Sequence, residues 1–593
     1  MLNTAKYLLK NLESYPNESA ISSKGKSGSW ETKTWSEFYD LVQSISKSFI
    51  SLGINKNDKI SIYSYNRIEW NACYLATQLT NSVAVGVYHT SSSEEVEWVV
   101  GNSDSKIIFV GNNPNDNDED DRMPIHRLNK ILKNLDKLEA IVIMDDIPAI
   151  DHDKIITWKE FLNKGKDIDE KQVLERADNI DLNDTSSIIY TSGTTGNPKG
   201  VELSHRNWSF LMEILMLPLK FNQGERTISW LPGAHVFGQA LDNHYWIKMT
   251  MHSYISDNPL NTIDVAKEVQ PHLFCSVPRI YEKVYSNFVS AIESKAILRI
   301  GLKIPFISEV LKNKLKSAAG FGNLKFAISG AAPINSKILS LFQTLGIPLF
   351  EGYGMTENTA GATLNFIDNN KIGTVGKALP NTQIKIAEDG EVLIKGDHVM
   401  KGYYRNDQAT SKTIIDDWLF TGDVGKIDSD GYLSITGRKK EIYVSSSGKN
   451  IAPLIIEETM KSISIVSQCF LIGDARKFCS ALITLDVGAI LRDNLGIEAT
   501  KIPKDPQQQI KMLQQNNQEL SNFTSSDEIK NQINDQVKEL NNQFSDPEQI
   551  KKIYILPRDF TIDDGELTPT LKIRRKQIND NWSDVINSLY DEG

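Results

Sequence analysis

The stretch YTSGTTGNPKG, Tyr190–Gly200, holds three glycines, four Thr/Ser hydroxyls and one lysine. It follows the apolar run SIIY and precedes GVELSH, so it reads as a loop between two strands. Glycines such as Gly193 allow close backbone approach and positive φ. Thr191, Ser192, Thr194 and Thr195 supply hydroxyl donors, and Lys199 adds positive charge. That set suits a phosphate. A Walker A loop needs Gly immediately before its lysine and Ser or Thr after it, but here Pro198 and Gly200 stand in those places. Taken alone, the same residues also read as a plain Gly/Ser/Thr surface turn.

The rest of the chain narrows the setting. Its 593 residues suggest about 3–4 domains, fewer if large α/β units are present. An apolar fraction of 40% and a charged fraction of 24% are ordinary for a globular protein with a sizeable core. A net charge of -11 leaves no basic surplus for a phosphate backbone, which argues against a nucleic-acid binder. Cys73, Cys275, Cys469 and Cys479 form no C-x-x-C pair, so free thiols are expected rather than zinc or disulfides. The opening MLNTAKYLLKNLESYPNES reads as a short amphipathic helix, not a signal peptide. No apolar run approaches the ~18 residues of a spanning helix, and the closing DEG is not a peroxisomal address. These features lead to the expectation of a soluble, cytoplasmic protein.

Helix and strand alternate from about 35 to 111. WSEFYDLVQSISKSFISLG is a helix stopped at Gly53, KISIYS a strand, EWNACYLATQLTNS a helix and AVGVY a strand. This pattern predicts a largely parallel sheet covered by helices. Asn112–Arg122 is polar and acidic and reads as a surface loop. Alternation resumes through Leu349. After about 366, Gly-punctuated short strands predict a small β-rich unit, and the character changes again at Gly437–Lys440. In the Gln/Asn-rich segment 503–549, Ile529, Ile533, Val537, Leu540 and Phe544 recur at helical spacing behind SSDE, Ser525–Glu528, which has the form of a capping box. The expected fold class is therefore α/β. A large N-terminal domain of mixed sheets flanked by helices, 1–437, includes a β-rich subdomain at about 366–437. An α+β C-terminal domain, 438–593, carries a helical insertion at about 503–549.

YTSGTTGNPKG resembles the phosphate-binding signature of the adenylate-forming superfamily, which includes acyl-CoA synthetases, luciferases and adenylation domains. Further motifs follow in that family's order. ISGAAP, Ile328–Pro333, resembles the adenine-side motif with Gly330, Ala331 and Ala332; YGMTE, Tyr353–Glu357, resembles the next; and TGD, Thr421–Asp423, the ribose motif. GRKKEIYVSSSGKNIAP, Gly437–Pro453, is similar to the hinge and pantetheine-channel motif, and GELTPTLKIRR, Gly565–Arg575, to the catalytic-lysine motif. NRIEW and SSSEEVEWVV near the N-terminus also look family-like, so the resemblance spans nearly the whole chain. It implies ATP, Mg²⁺ and CoA as reactants, a mobile C-terminal domain, and a fatty acid as the most fitting acid, since the last two motifs and LIGDARKFCSALITLD look most like the long-chain acyl-CoA synthetase branch.

Each motif also has a physical reading of its own. Tyr353 offers a face for adenine, Gly354 a close approach, Thr356 a phosphate donor, and Glu357 a hard oxygen for Mg²⁺. Asp423 can accept from both ribose hydroxyls, although Thr-Gly-Asp is also a common turn. The resemblance makes Arg438 the second ribose contact, Lys440 the hinge and Gly448 part of the CoA channel. It makes Lys572 the bridge between the acid carboxylate and the α-phosphate, where a cation offsets the meeting of two anions; the neighbouring KIRRK cations read as a surface patch. His235 in WLPGAHVFG resembles a histidine near the acyl-carboxylate entrance, though a lone histidine beside apolar residues is also an ordinary structural residue. Some long-chain members carry a gating tryptophan shortly after it, but Val236, Phe237, Gly238 and Gln239 follow here. A fatty substrate implies transient peripheral contact with the inner face of a membrane. A fatty-acyl-AMP ligase loading a carrier protein, and a CoA ligase for medium-chain or aromatic acids, share most of these motifs.

Overall fold

The structure is a computed structural model that describes residues 1–25, 27–112, 123–145, 152–191, 197–216, 219–294, 296–444, 450–474, 476–498, 501–562, 564–568 and 572–590. Ser192, Gly193, Thr194, Thr195, Gly448 and nearly all of the acidic stretch Asn112–Arg122 lie outside the described residues.

The large domain is built on two sheets. The first has eight strands in the spatial order Gly402–Tyr403, Lys199–Ser204, Thr185–Thr191, Val83–Val87, Lys59–Ser64, Ser105–Gly111, Ala140–Ile143 and Ile155–Thr157. Its pairings are parallel except at the two antiparallel partners of Lys199–Ser204. Period-two alternation sends Ile60, Ile62, Ile107 and Phe109 to one face and Tyr63, Val85, Ile108 and Val110 to the other. Both faces are buried, as a parallel sheet requires. The helix Ser93–Ser103 covers the second face through Val96, Val99 and Val100.

The second sheet has nine strands, with Leu349–Tyr353, Phe326–Ser329, Leu273–Ser276, Arg226–Ser229 and His252–Ile255 at its parallel centre. One continuous core joins it to the first. The helix Ile68–Thr80 lies in that core with every side chain buried except Glu69, although Asn71, Thr77, Gln78 and Thr80 are polar. A helix apolar or satisfied all round belongs between layers. Asn71 donates to the Asp242 carbonyl at 2.7 Å, and Gln78 exchanges hydrogen bonds with Ser186. All four cysteines are buried and unpaired.

A five-stranded antiparallel sheet follows, with Trp418–Ile427 at its centre, paired to Glu391–Lys395 and Leu433–Arg438. The C-terminal segment has its own core around the sheet Val466–Ile472, Cys479–Leu485 and Ile550–Ile555. The helix Asp527–Asn541 buries Ile529, Ile533, Val537 and Leu540 there. Its N-cap is Ser526, which accepts from Ile529 N–H, one residue later than the SSDE reading places the cap. The helix therefore begins at Asp527.

Gly86 places the loop that carries His235. It faces the helix layer from Val83–Val87, and a Cβ there would stand 2.6 Å from Ala234 Cα. A methyl group cannot enter without moving backbone. Gly86→Ala is expected to destabilise the large domain by ~1–3 kcal/mol and to lower its first thermal transition by a few degrees, read by scanning calorimetry of the ligand-free protein.

Candidate active site

The loop Tyr190–Gly200 closes an antiparallel hairpin, with Thr191 opposite Lys199 and Tyr190 opposite Gly200. Tyr190 donates to Asn102 Oδ1 at 2.7 Å, and Trp98 Nε1 donates to the Pro198 carbonyl at 2.9 Å. Both ends of the loop are therefore pinned to the helix Ser93–Ser103. Lys199 sits 4.9 Å from the centre of the Tyr403 ring, a cation–π distance. The Tyr403 hydroxyl donates to Glu357 Oε1 at 2.8 Å. Tyr403 thus couples the loop lysine to the buried Glu357 carboxylate. No motif pointed to it: it arrives because Gly402–Tyr403 pairs with Val201 and Glu202 across the sheet edge.

The adenine-side and ribose motifs converge on the same edge. Gly330 N–H donates to the Ser276 carbonyl at 3.1 Å, and Ala331 takes a φ of 68°, a strained conformation for a residue with a Cβ. Ala332 is exposed. Tyr353 ends its strand and donates to Asp423 Oδ2 at 2.6 Å. Burial and that carboxylate push the Tyr353 phenol well up. Gly354 is obligatory, since a Cβ would fall 2.0 Å from the Ala360 carbonyl oxygen. Thr356 and Glu357 occupy the buried turn that follows.

Asp423 and Arg438 are opposite residues of one antiparallel pair, and Arg438 Nε donates to Asp423 Oδ1 at 3.0 Å. Asp423 is buried with both oxygens engaged. Glu391 supports the same turn by accepting from Gly422 N–H at 2.8 Å and from Lys439 Nζ at 2.9 Å. Lys440, next in line, is exposed and makes no ion pair among the described residues.

His235 caps the helix Val236–Gln239. Its Nδ1 accepts from Phe237 N–H at 3.2 Å, which assigns the proton to Nε2. Burial first, and then the Lys572 ammonium, hold its pKa down at about 3, so the ring is neutral. A Cβ on Gly330 would lie 3.4 Å from the Phe237 ring, which ties the His235 segment to the adenine-side motif. Trp230 donates to the Cys275 carbonyl at 2.9 Å, and Trp246 stacks on Trp35 at 5.0 Å. Both indoles are core residues.

Lys572 completes the cleft. Its N–H donates to Thr568 Oγ1 at 3.0 Å, while Thr568 N–H returns a bond to its carbonyl at 2.8 Å. Its side chain remains accessible to water yet is surrounded by protein. That crowding, together with Arg438, lowers its pKa against the opposing pull of Asp423, Glu357 and Glu441. The C-terminal lysine is therefore within electrostatic reach of the Asp423, Arg438, Glu357 and His235 side chains at once. Within the KIRRK run Arg574 and Arg575 are not a surface patch, while Lys576 is exposed. Arg574 bonds Glu95 of the large domain at 2.8 Å, and Arg575 is largely buried against Glu457 at 2.5 Å and Glu441 at 3.4 Å. Their partners lie 118 to 479 residues away, so no local pattern shows the pairing.

Residues 8–404 match the family model described as AMP-binding enzyme, and residues 504–593 match that of the AMP-binding enzyme C-terminal domain. The chain belongs to the AMP-binding enzyme family. Among its relatives is the long-chain-fatty-acid–CoA ligase FadD15 of Mycobacterium bovis, 32% identical over 95% of this chain and 93% of that protein. Another is the long-chain-fatty-acid–CoA ligase ACSBG2 of Xenopus laevis, 28% identical over 98% and 83%. The family fold is shared with the anthranilate CoA ligase AuaEII, captured with anthranoyl-AMP, at a TM-score of 0.74 and 17% identity over 99% of this chain and 98% of that one. It is shared too with the adenylation domain of a carboxylate reductase from Mycobacterium chelonae, at a TM-score of 0.77 and 15% identity over 100% and 91%.

Glu351 lies beneath the cleft of this AMP-binding enzyme, on the strand that ends in Tyr353. It is buried, with one long hydrogen bond from Ile334 N–H at 3.4 Å, and burial raises its pKa from 4.5 to about 7. Between those values the folded state holds a proton that the unfolded chain has released, so stability falls as pH rises from 4.5 to about 7. The full effect is about 3 kcal/mol. Glu351→Gln is expected to remove this slope. Denaturant titrations at pH 5 and pH 8 check it: wild type should lose stability relative to the variant between the two.

Proposed function

We propose that this AMP-binding enzyme is an AMP-forming long-chain fatty acid–CoA ligase. The observation that carries the reading is the arrival of Lys572, from the far end of the chain, within range of Asp423, Arg438, Glu357 and His235 in one cleft. The names of its relatives FadD15 and ACSBG2 support the long-chain acid and the CoA acceptor.

In this reading a carboxylate oxygen of the fatty acid attacks the α-phosphorus of MgATP. The bond to the β-phosphate breaks, and pyrophosphate leaves along the Tyr190–Gly200 loop toward Lys199. Lys572 lies between the two anions and stabilises the charge gathering on the α-phosphoryl oxygens. Burial and Arg438 lower its pKa, and two incoming anions oppose that shift and favour the ammonium. Asp423 accepts from the ribose hydroxyls, and Arg438 holds Asp423 in place. Tyr353 lines the adenine side with Gly330–Ala332. Neutral His235 keeps its Nε2 proton to donate to an oxygen of the acid, and adds no positive charge of its own to those of Lys572 and Arg438.

Glu357 is the residue that would hold a Mg²⁺ ion accompanying the nucleotide. Among the described residues no group of three or more acidic, His or Cys side chains could hold a metal alone, which fits an ion bound through phosphates, water and the single Glu357 carboxylate. When bound, it neutralises phosphate charge. Tyr403 orients Glu357 for that contact.

In the second half-reaction the CoA sulfur attacks the acyl carbonyl, the mixed anhydride C–O bond breaks and AMP departs. Lys572 has no task there. Rotation of the C-terminal domain about exposed Lys440 would withdraw it and bring the segment containing Gly448 to the pantetheine arm. The Arg574–Glu95 bridge belongs to the adenylating arrangement and must break in that turn.

Two measurements check the reading. With MgATP, CoA and acids of short, medium and long chain and aromatic type, thioester should peak on the long-chain acids with matching AMP and pyrophosphate. An acyl-adenylate without thioester would instead mark an acyl-AMP ligase. Lys572→Ala is expected to reduce adenylation by ~10²–10³-fold while leaving thioester formation from supplied acyl-adenylate near wild type. Equal loss of both steps would contradict the role given to Lys572.

A further inference from the structure

The helix Pro278–Ser294 starts beside the cleft, two residues after Ser276, and runs outward for about 25 Å. At its far end stands a helical hairpin, Ala296–Gly301 and Ile307–Ala318. A Cβ on Gly301 would lie 2.5 Å from Leu311 Cδ1, so the glycine lets the two helices close, and Leu315 ties the base to the core. The tip is different. The twelve-residue second helix has no buried residue. Phe306, in the connecting turn, is 89% exposed and adopts a φ of 67°, a strained conformation for an aromatic residue that here turns a large apolar side chain into solvent. Ile300, Ile304, Ile307 and Val310 around it are 42–58% exposed. Of the sixteen large hydrophobic residues exposed among those described, five fall in this one turn and its flanks.

Charge singles out the same place. Residues 299–316 carry five cations and one carboxylate, Glu309, in a chain of net charge -11. Glu309 is already paired with Lys312 at 3.3 Å. Arg299, Lys303 and Lys314 remain exposed around the apolar tip.

We propose that this hairpin is a docking surface for an anionic lipid bilayer, with Phe306 and its aliphatic neighbours entering the acyl boundary and Arg299, Lys303 and Lys314 at the headgroups. An apolar tip ringed by cations on an otherwise acidic protein matches the two attractions of an anionic membrane, apolar burial and surface potential. Two copies meeting tip to tip would bring their rings of cations together, which an anionic bilayer does not. The surface deepens the fatty-acid reading and rests on it for its purpose: a bilayer is where a long-chain acid resides. No helix among the described residues is long and apolar enough to cross a membrane, and the attachment proposed for the hairpin is a peripheral one.

Flotation of the full chain with phosphatidylcholine vesicles, with and without phosphatidylglycerol, tests the surface. Binding should require phosphatidylglycerol and weaken with salt. Phe306→Ser/Val310→Ser and Arg299→Gln/Lys303→Gln/Lys314→Gln should each weaken it by ~10-fold or more. Acyl-adenylate formation from an acid presented as monomer in solution should be unchanged in both, which also shows that they fold. Absence of wild-type binding, or equal binding by both variants, overturns the proposal. So does a wild-type dimer that the Phe306→Ser/Val310→Ser change splits without altering flotation. Vesicle binding is read without turnover, so inactivity toward every acid would count against the ligase reading and leave the surface standing.

Discussion

The Asp423 carboxylate is the point on which the site depends. One oxygen takes the Tyr353 hydroxyl and the other takes Arg438 Nε. Tyr353 ends a strand of the nine-stranded sheet, Asp423 lies in the small antiparallel sheet, and Arg438 is the last residue before the turn that leads to the C-terminal domain. A single buried anion therefore joins three parts of the chain. Charge-assisted hydrogen bonds of this kind are short and roughly twice as strong as neutral ones. They hold these three parts of the chain in register.

Around that anchor the cleft balances its charges. Glu357, Asp423 and Glu441 face Arg438, Lys572 and, through Tyr403, Lys199. His235 stays neutral beside Lys572 because burial and the ammonium both oppose its protonation. An imidazolium there would face the Lys572 ammonium and be repelled by it. Lys572 comes to this cleft from a domain that has its own core and follows an exposed turn. Arg574 on Glu95 and Lys504 on Asp264 fasten that domain in the orientation seen. Both are partly exposed ion pairs, which contribute little each.

Much of this was legible in the residues. The helix Trp35–Ser51 and the strands Lys59–Ser64 and Val83–Val87 follow from local periodicity, and so does Asp527–Asn541 in a Gln/Asn-rich segment that composition alone would have assigned to disorder. Glycines with a stereochemical duty, such as Gly354 against the Ala360 carbonyl, sit inside the motifs that first drew attention. Tyr403, Glu391 and Glu351 were not legible, because each acts on a residue 31 or more positions away or through burial that no local pattern encodes. The KIRRK run misled for the same reason: a run of cations reads as solvated until the distant carboxylates Glu95 and Glu457 are brought against it.

By itself the sequence determined the family, the α/β class and the types of side chain available for phosphate, ribose and carboxylate chemistry, since these depend on residue identity at short fixed spacing. Tertiary structure decided which charges share a cleft, which protonation states they adopt and which apolar residues remain outside. Phe306 and Trp246 are both large aromatics in ordinary-looking sequence, yet one is 89% exposed and the other fully buried on Trp35. Electrostatic coupling and burial depend on distance in space, and only the packed chain sets that distance.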